Sequence, residues 1–567
     1  MLRLTIGQIN PTIGDIDGNL ALMRAAARKA ASEGAQMVVF PELSLTGYYP
    51  GDLLDEPGFL AAIEHGLEAA RAASRETPDL YWVIGAPVTR SGPGKRLQNA
   101  LLVLHQGEAV LRYAKQLLPT YNVFDERRHF EPGPDVARIL KIGSTRVGFM
   151  ICEDGWNDAG TDYAVNPFER LADAAPDLVV SINASPSNLG KRAQRHALFT
   201  AASRRNRLPI LYVHQVGGHD QLVFDGASFA ATPDAGVVFE AKQFEEDIVT
   251  LVFENGDFLQ NDCSAFPGPV AETLSPMAFY RKQIVLGLRD YARRCGFKKA
   301  VVGCSGGIDS ALTLALAVET FGAENVTAIT MPSRFSSEGS VSDSERLCHN
   351  LGIELLTHPI REIVAAFESG FAQATGAAPQ GLTLENLQAR VRGTILMEYS
   401  NEHGHLLLTT GNKSEISVGY CTLYGDTNGG LGLIGDLYKT EVFELCRHIN
   451  AAEGREVIPL AIIDKEPSAE LAPGQKDTDS LPPYPVLDDI LKHLIEGDRL
   501  GPSEQETVQA RMADLIATDA GRALIARIKG MIGRNEYKRR QAPPILRLRS
   551  RAFGSGRQMP IAARHTF

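Results

Sequence analysis

The feature that most constrains the fold of this chain is an alternation of short apolar segments with helical segments, which occurs twice along the sequence. Residues 1–255 contain LRLTIGQI, AQMVVF, YWVIGAPV, RVGFMIC and DLVVSIN, with helical segments near Leu20 to Glu33 and Phe59 to Arg75. A second series begins with a helix from Met277 to Cys295 and continues with KKAVVGC, NVTAITMP and HLLLTTG. Strands that alternate with helices predict an α/β fold, and the second series predicts a parallel sheet with crossover helices.

A polar stretch that contains Pro and Gly separates the two series. At 567 residues the chain is too long for one hydrophobic core, since single cores rarely exceed about 300 residues. The stretch from about Asn255 to Pro276 has no sustained periodicity, which is typical of a linker. We therefore predict a first domain over residues 1–260, a linker over 261–275 and a second domain over 276–567.

Two segments of the second domain have the composition of loops. They run from Ala372 to Thr383 and from Asp464 to Pro485, and the latter reads DKEPSAELAPGQKDTDSLPPYP. Either loop could close over a ligand, although an exposed surface loop is the commoner outcome.

Charge and hydropathy exclude several classes of protein. A formal net charge of −11 argues against a nucleic-acid scaffold held by phosphate contacts, while small anionic substrates remain possible. No segment reaches the roughly 18 consecutive apolar residues of a membrane span. The start of the sequence has neither a basic region nor a cleavage site of a secretory signal, so we predict a cytoplasmic location without membrane partners.

The cysteines suggest neither a disulfide framework nor a zinc site. There are seven of them, an odd number, and no two form a CxxC pair. They are Cys152, Cys263, Cys295, Cys304, Cys348, Cys421 and Cys446. At most one is expected to be catalytic, because an isolated cysteine is usually a small buried apolar residue.

Three polar residues of the first domain each follow an apolar strand. They are Glu42 in VVFPELSLTGYYP, Lys115 in LRYAKQLLP and Cys152 in RVGFMICEDGW. Strand ends commonly converge on one cleft in an α/β sheet, so these residues could meet. A thiol nucleophile, a carboxylate base and a cation suit acyl transfer from an amide, with Lys115 stabilising the oxyanion.

The motifs around these three residues resemble the nitrilase/amidase superfamily, and specifically its glutaminase domains. The motifs are FPELSLTGYYP, the KxxLPTYxxFDExRxF stretch from Lys115 to Phe130, and ICEDGW. The resemblance implies an αββα sandwich with a Glu-Lys-Cys triad at Glu42, Lys115 and Cys152. It also implies that Glu126 orients Lys115.

The same resemblance implies a place for glutamine. Tyr121 in LPTY, and Ser185 and Lys191 in NASPSNLGK, match positions that hold glutamine in similar enzymes.

The second domain contains a glycine-rich turn between a strand and a helix. GCSGGIDS, from Gly303 to Ser310, follows KKAVV, so backbone N–H groups and the helix N-terminus can face phosphate. The turn lacks the lysine of a Walker A loop, which argues against an ordinary γ-phosphate-transferring P-loop enzyme. The segment resembles the N-type ATP pyrophosphatases, which include NAD⁺, GMP, asparagine and argininosuccinate synthetases. These enzymes cleave ATP between the α and β phosphates and activate their substrates as adenylates.

Five further motifs are similar to those of NAD⁺ synthetases. They are ENLQARVRGTILM, LLTTGNKSE, GYCTLYGDTNGGLGLIGDLYKT, KEPSAEL and NEYKRRQAPP. The resemblance implies ATP contacts at Gly303, Cys304, Ser305, Gly306, Gly307, Ile308, Asp309, Ser310 and Thr410. It implies Mg²⁺ at Asp309 and Glu415, and deamido-NAD⁺ contacts near Asn386, Glu415 and Lys538.

Two basic residues are further candidates for phosphate contacts, and one residue departs from the motif of the single-domain relatives. Arg390 and Lys439 are interpreted as residues that face phosphate. Single-domain, ammonia-dependent relatives tend to carry Lys where this chain has Leu423, so their contacts to the nicotinate side do not transfer directly.

In both halves the chain therefore resembles glutamine-dependent NAD⁺ synthetases. The resemblance implies that the first domain releases ammonia from glutamine and the second uses ATP to adenylate deamido-NAD⁺, after which ammonia displaces AMP. Because ammonia is mostly protonated in water near neutral pH, we expect it to travel inside the protein and the synthetase site to control the amidase. The resemblance also suggests a homo-oligomer, and an octamer is one possibility.

Two alternatives remain at this point. One is a glutamine-dependent amidotransferase that acts on another adenylated carboxylate or carbonyl group. The other is a nucleotide-binding scaffold protein without activity, against which the presence of Glu42, Lys115, Cys152, Asp309 and Glu415 counts.

Overall fold

The computed structural model describes residues 1–157, 159–267, 274–472 and 474–563, and the chain divides into two compact units. Unit 1 comprises Met1–His219 and Val223–Thr273, and unit 2 comprises Asp220–Leu222 and Leu274–Phe567. The linker that the sequence predicts over 261–275 lies partly outside the described residues, and its boundaries stay a prediction.

In its described residues, unit 1 contains fifteen strands and four helices. The strands are β1 (Leu2–Gln8), β2 (Met37–Val39), β3 (Tyr81–Thr89), β4 (Leu97–His105), β5 (Glu108–Ala114), β6 (Ile139–Ile142), β7 (Thr145–Ile151), β8 (Leu178–Asn183), β9 (Ile210–His214), β10 (Val216–His219), β11 (Leu222–Asp225), β12 (Phe229–Thr232), β13 (Gly236–Glu240), β14 (Asp247–Glu254) and β15 (Asp257–Gln260). The helices are α1 (Ile16–Ser32), α2 (Pro57–Ser74), α3 (Pro167–Ala174) and α4 (Lys191–Asn206).

Two large sheets form the centre of unit 1. A seven-stranded sheet has the order β15-β14-β1-β2-β3-β4-β5, and a six-stranded sheet has the order β13-β12-β9-β8-β7-β6. Strands β2 and β3 are parallel, whereas β3 with β4 and β4 with β5 are antiparallel, so β5 runs in the same direction as β2. Strands β7 and β8 are parallel in the second sheet.

The side chains of β8 show how the layers pack. Leu178, Val180 and Ile182 lie in an apolar core shared with the first sheet, and Val179 lies in a second core with α3 and α4. Because successive side chains of a strand point to opposite faces, a strand buried on both faces is apolar at nearly every position. Helices α1 and α2 cover the outer face of the first sheet. The αββα sandwich implied by the sequence is confirmed.

Unit 2 contains one parallel sheet and a larger set of helices. The strands are β16 (Ala300–Gly303), β17 (Val326–Thr330), β18 (Glu354–Thr357), β19 (Leu406–Thr409) and β20 (Leu431–Gly432). The helices are α5 (Pro276–Cys295), α6 (Ile308–Phe321), α7 (Glu338–Leu351), α8 (Arg361–Thr375), α9 (Leu382–His403), α10 (Lys413–Val418), α11 (Lys439–Glu453), α12 (Leu460–Asp464), α13 (Tyr484–Ile495), α14 (Pro502–Ile516), α15 (Asp519–Arg534) and α16 (Glu536–Arg539).

The five strands of unit 2 have the order β18-β17-β16-β19-β20, and all neighbours are parallel. Val301 of β16 and Leu407 of β19 share an apolar core with Ile395 of α9. Helices α5 and α11 both pack against α6. The parallel sheet with crossover helices that the sequence predicts is confirmed, and the glycine turn lies at the carboxyl end of its central strand.

Two sequence expectations need correction. Strand β15 lies inside the stretch that we interpreted as lacking regular structure, because Asp257–Gln260 forms a short hairpin with β14. The loop expected from Ala372 to Thr383 is shorter, since α8 continues to Thr375 and α9 begins at Leu382. Within the described part of the chain, none of the helices combines the length and apolar character needed to cross a membrane.

Candidate active sites

The structure brings Glu42, Lys115 and Cys152 together in the interior of unit 1. Lys115 follows β5 and Cys152 follows β7, while Glu42 lies three residues beyond β2. Lys115 Nζ donates a hydrogen bond of 2.7 Å to Glu42 Oε1. All three side chains are buried. The convergence that the sequence predicts therefore occurs, and it joins strand ends from both sheets.

Glu42 is held in place by three donors. Besides Lys115, Asn99 Nδ2 donates to Oε1 at 2.7 Å and the Ala184 N–H donates to Oε2 at 3.1 Å. Burial raises the pKa of Glu42 to about 7, although Lys115 opposes this increase. A carboxylate with such a pKa can take up and return a proton near neutral pH.

Lys115 lies between two carboxylates. Its Nζ donates to Glu126 Oε1 at 2.6 Å as well as to Glu42. Burial alone would lower the pKa of Lys115, but Glu126 and Glu42 outweigh it and raise that pKa well above its ordinary value. Lys115 is therefore a fixed positive charge. Tyr48 Oη donates a hydrogen bond of 2.8 Å to Glu126 and so helps to position that carboxylate.

Cys152 begins a 3-10 turn directly after β7. Its φ is 44°, in the left-handed region that few residues other than glycine adopt. Burial and then the Glu42 carboxylate raise the pKa of the Cys152 thiol well above its usual range, while Lys115 and the Ala184 N–H oppose them. The thiol is consequently protonated in the free protein, beside the group that can accept its proton.

Asp154 joins the strand that carries Cys152 to the segment that carries Lys115. Its carboxylate accepts the Gln116 and Leu117 N–H groups at 2.9 Å and the Tyr113 hydroxyl at 2.7 Å. Sequence reasoning did not assign this role to Asp154, because its partners lie about forty residues upstream. The buried acceptor sets the relative position of Cys152 and Lys115.

Glu153 is a second residue that sequence reasoning missed. Its buried carboxylate accepts the Tyr121 hydroxyl at 3.1 Å and the Tyr163 hydroxyl at 2.8 Å, next to Cys152. Burial raises the pKa of Glu153, and Lys115 opposes the increase. Tyr121, which the sequence assigned to glutamine, therefore lies at the site, with its side chain half exposed.

Ser185 and Lys191 flank the same region. Ser185 follows Ala184, and its N–H donates to His214 Nε2 at 2.9 Å. Lys191 Nζ lies 3.7 Å from the centre of the Trp156 ring, in a cation–π contact. Trp156 ends the 3-10 turn that begins at Cys152, so Lys191 contacts the far end of the turn that carries the nucleophile.

Unit 2 contains a cavity of about 570 Å³ at the carboxyl ends of β16 and β19. Apart from Gly306, every residue that the sequence assigned to ATP lines this cavity, and so do Asn386, Glu415 and Lys538. The segment from Lys465 to Leu471, within the predicted loop from Asp464 to Pro485, lines it too. The cavity is large enough for a nucleotide.

The glycine turn depends on the close approach of a helix. Gly306 has φ 75°, and a Cβ atom there would lie 2.3 Å from the Ser340 carbonyl oxygen of α7. Both facts require glycine at this position. Helix α6 then begins at Ile308 with its N-terminus at the cavity.

The Asp309 and Glu415 carboxylates both contact the ammonium group of Lys439. Lys439 Nζ donates to both carboxylates, at 3.2 Å to Glu415 Oε1, and Asn412 Nδ2 donates to Asp309 Oδ1 at 2.9 Å. Burial and the Asp309 charge raise the pKa of Glu415 to about 8 against the opposing effect of Lys439. Burial would lower the pKa of Lys439, but Asp309 and Glu415 raise it overall. Two carboxylates that converge on one charge fit a divalent cation that prefers oxygen ligands.

The other assigned residues of unit 2 differ in position. Lys538 Nζ donates to the Gly419 and Cys421 carbonyl oxygens at 2.8 Å, and Asn386 Oδ1 accepts the Thr422 hydroxyl at 2.8 Å. Arg390 is exposed and donates a hydrogen bond to the Leu423 carbonyl, and it is not among the residues that line the cavity.

Arg392, which sequence reasoning did not single out, does line the cavity. Burial lowers the pKa of Arg392 to about 10, and its Nε donates to the Met331 carbonyl at 3.1 Å. The spacing from Arg390 could have indicated it, since residues two apart on a helix point to different sides.

Comparison with known proteins places both units in known families. Residues 3–253 match the family described as carbon-nitrogen hydrolase, and residues 280–542 match NAD synthase. A glutamine-dependent NAD(+) synthetase from Synechocystis sp. is 42% identical over 99% of this chain and 99% of its own. One from Rhodobacter capsulatus is 40% identical over 99% and 98%.

A solved structure extends these similarities. It is a glutamine-dependent NAD+ synthetase from Acinetobacter baumannii in complex with ADP, 36% identical, with a TM-score of 0.76 over 99% of this chain and 98% of that one. Identity at this level over nearly the whole length of each relative shows the family, and the chain belongs to the glutamine-dependent NAD⁺ synthetases.

Proposed function

We propose that unit 1 hydrolyses glutamine at Cys152 and that unit 2 uses ATP and the released ammonia to convert deamido-NAD⁺ to NAD⁺. The observation that carries this proposal is the presence of two complete sites on one chain: Lys115 between Glu42 and Glu126 beside a buried thiol, and Lys439 between Asp309 and Glu415 at a glycine turn. The names of the relatives support the same pair of activities.

In unit 1, Cys152 Sγ attacks the side-chain carboxamide of glutamine while Glu42 accepts the thiol proton. Glu42 then returns this proton to the leaving nitrogen, so that ammonia departs and a thioester remains on Cys152. Glu42 next takes a proton from water, which attacks the thioester; glutamate is released as the C–S bond breaks, and Glu42 returns the proton to Cys152 Sγ. Lys115 stays charged throughout and stabilises the oxyanion of each tetrahedral intermediate.

Recognition of glutamine requires one negative and one positive group around its α-carbon. Glu153, with Tyr121 and Tyr163 as its donors, is suited to the α-ammonium group. Lys191, above Trp156, is suited to the α-carboxylate, with Ser185 beside it. These assignments are supported by charge and by proximity to Cys152.

In unit 2, the nicotinate carboxylate must be activated before ammonia can attack it. A carboxylate oxygen leaves poorly and its charge repels nucleophiles, so adenylation is needed to remove both obstacles. We assign the turn from Gly303 to Ser310, with Thr410, to ATP, and Asn386, Glu415 and Lys538 to deamido-NAD⁺. The ADP bound by the Acinetobacter baumannii relative supports an adenine nucleotide in this chain's cavity.

Asp309 and Glu415 are suited to hold Mg²⁺, which would neutralise charge on the ATP phosphates when bound. The fit rests on their convergence on the Lys439 ammonium group. Lys439 would then be free to turn to a phosphate, and Arg392 offers a second buried positive charge at the cavity wall. We also expect a cytoplasmic homo-oligomer.

The Cys152→Ala variant should lose NAD⁺ synthesis from glutamine but retain synthesis from added ammonium. The reason is that the thiol serves only the amidase reaction, whereas adenylation uses residues of unit 2. NAD⁺ formation with each nitrogen source is the measurement, and the Cys263→Ala variant, at an exposed cysteine of unit 1, is the control. Loss of both activities in a folded variant would contradict the assignment.

The glutaminase rate should increase with pH and level off above about 7. Glu42 must be ionised to accept a proton, and its pKa is raised to about 7 by burial. The Asn99→Ala variant should shift the rising part of the pH profile to higher pH, because it removes a hydrogen bond that stabilises the Glu42 carboxylate. The Gln98→Ala variant, at the neighbouring position of β4, should leave the profile unchanged. The pH dependence of kcat/KM for glutaminase tests both, and an unshifted profile in Asn99→Ala would argue against Glu42 as the base.

The Asp309→Asn variant should suppress pyrophosphate release with either nitrogen source by at least about tenfold, since an amide cannot replace a carboxylate that binds Mg²⁺. Glu319→Gln, on the same helix and paired with Arg281, is the matched control.

Pyrophosphate release by the unchanged protein should require deamido-NAD⁺. Xanthosine monophosphate or aspartate as an equally good substrate would favour another amidotransferase.

Without nucleotide, the Lys439→Met variant should bind Mn²⁺ more tightly than the unchanged protein. The ammonium group and a divalent cation compete for Asp309 and Glu415, so its removal leaves two carboxylates without a counter-charge. Electron paramagnetic resonance of free Mn²⁺ measures the affinity. Lys465→Met, at a cavity lysine that pairs with Glu470 instead, should not change it. Equal affinities in all three proteins would show that Lys439 does not compete with the metal.

A further inference from the structure

A group of three metal-ligating side chains lies in unit 1 and takes no part in the mechanism above. Asp52 and Asp55 belong to a 3-10 turn after the FPELSLTGYYP segment, and His129 follows the 3-10 turn Glu126–Arg128. One ligand atom of each residue lies within 4.8 Å of the others. Among the described residues, this is the group of three or more His, Cys, Asp and Glu side chains whose ligand atoms lie that close together.

The His129 ring supplies the decisive observation. Its side chain is only 3% exposed, yet Nε2 is buried without a hydrogen-bond partner in the described structure and faces the two carboxylates. Its other nitrogen, Nδ1, lies 2.5 Å from Tyr49 Oη, and that hydroxyl donates to the Asp125 carbonyl at 3.2 Å. Because Nδ1 is hydrogen-bonded to Tyr49, the tautomer that carries its proton on Nδ1 leaves the Nε2 lone pair facing the two carboxylates.

In this tautomer the lone pair and the two carboxylates repel one another unless a cation lies between them, whereas the other tautomer places a proton there. His129 Nε2 is 3.2 Å from Asp52 Oδ1 and 3.6 Å from Asp55 Oδ2. Two ligands on one tetrahedral ion with bonds of about 2.1 Å lie about 3.4 Å apart, so these separations suit a shared ion. A hydrogen bond from the second imidazole nitrogen, here to Tyr49, is the usual support of a histidine that binds a metal.

We propose that His129, Asp52 and Asp55 bind a divalent transition-metal cation such as Zn²⁺, with water at the remaining position. Imidazole together with carboxylates suits this class of ion, whereas Mg²⁺ and Ca²⁺ prefer oxygen ligands alone. The Asp52 and Asp55 side chains are exposed and can close on the ion, while His129 is already fixed.

The ion would act on the turn that carries Glu126. The His129 N–H donates to the Glu126 carbonyl at 3.2 Å, so a cation that fixes His129 also fixes this turn. It would join the turn to the segment Gly51–Asp55, which follows the loop of Glu42. The proposed role is therefore to hold together two segments that contribute carboxylates to the Lys115 site.

Arg128 is the competing positive charge. Its guanidinium contacts both oxygens of Asp52 at 3.0 Å, at the surface of unit 1. If Asp52 is a ligand, the Arg128→Gln variant should bind the cation about two- to fivefold more tightly, as expected for loss of one exposed ion pair. The alternative is a protonated His129 that simply pairs with the two aspartates, and it predicts no cation binding.

The experiment is a titration of the tag-free, full-length protein with Co²⁺, followed by visible absorbance, and displacement of Co²⁺ by Zn²⁺. We expect one site without a thiolate charge-transfer band, which separates it from the cysteines. The Asp52→Asn/Asp55→Asn variant, altered only at exposed positions, should lose affinity by at least about tenfold. The control is Glu64→Gln/Glu68→Gln, which removes two exposed carboxylates from α2.

The Tyr49→Phe variant separates a metal site from a surface ion pair. It should weaken Co²⁺ binding by about tenfold, because the second imidazole nitrogen loses its partner. Three results would overturn the proposal: no Co²⁺ bound outside the cysteines, equal affinity in Asp52→Asn/Asp55→Asn and its control, or no change in both Tyr49→Phe and Arg128→Gln.

Discussion

A lysine ammonium group buried between two carboxylates is the interaction on which both catalytic sites depend. In unit 1 it is Lys115 between Glu42 and Glu126, and in unit 2 it is Lys439 between Asp309 and Glu415. Both groups lie in surroundings that solvate charge poorly. Burial, aided by the neighbouring carboxylate, raises the pKa of Glu42 in unit 1 and of Glu415 in unit 2. The raised pKa suits Glu42 to proton transfer, and the paired carboxylates of unit 2 fit the cation proposed there.

The two sites use this arrangement differently. In unit 1 the site is buried, and Asn99 donates a hydrogen bond to Glu42 and a longer one to Glu126, so both carboxylates around Lys115 are also held by β4. In unit 2 the cavity is open to ligands, and Asn412 supports Asp309 from the side. The same arrangement of charges is thus enclosed in the interior of unit 1 and lies at the wall of a cavity in unit 2.

The fold class, and the meeting of the polar residues that follow strands, could be predicted from the sequence. Glu42, Lys115 and Cys152 occur in motifs, and strand ends converge by the geometry of sheets, so their meeting could be predicted. The residues that hold these three side chains in position could not be predicted. Asp154 is placed by backbone N–H groups of another strand's end, which no local spacing reveals.

Further differences have equally physical causes. Strand β15 escaped prediction because four residues, Asp257–Gln260, are too few to show an apolar alternation, and the strand is defined by its pairing with β14. Helix α8 continues past Ala372 because Gly376, with φ 83°, ends it rather than a change in composition. The roles of Tyr121, Ser185, Lys191, Asn386 and Lys538 stay predictions.

The backbone at Cys152 restricts which side chains could ever perform its chemistry. With φ at 44°, a residue branched at Cβ would crowd its own carbonyl group, so threonine and valine are disfavoured. Serine, which is unbranched at Cβ, is tolerated better here than threonine. The main chain thereby fixes the point from which the nucleophile extends and limits the side chains that can extend from it.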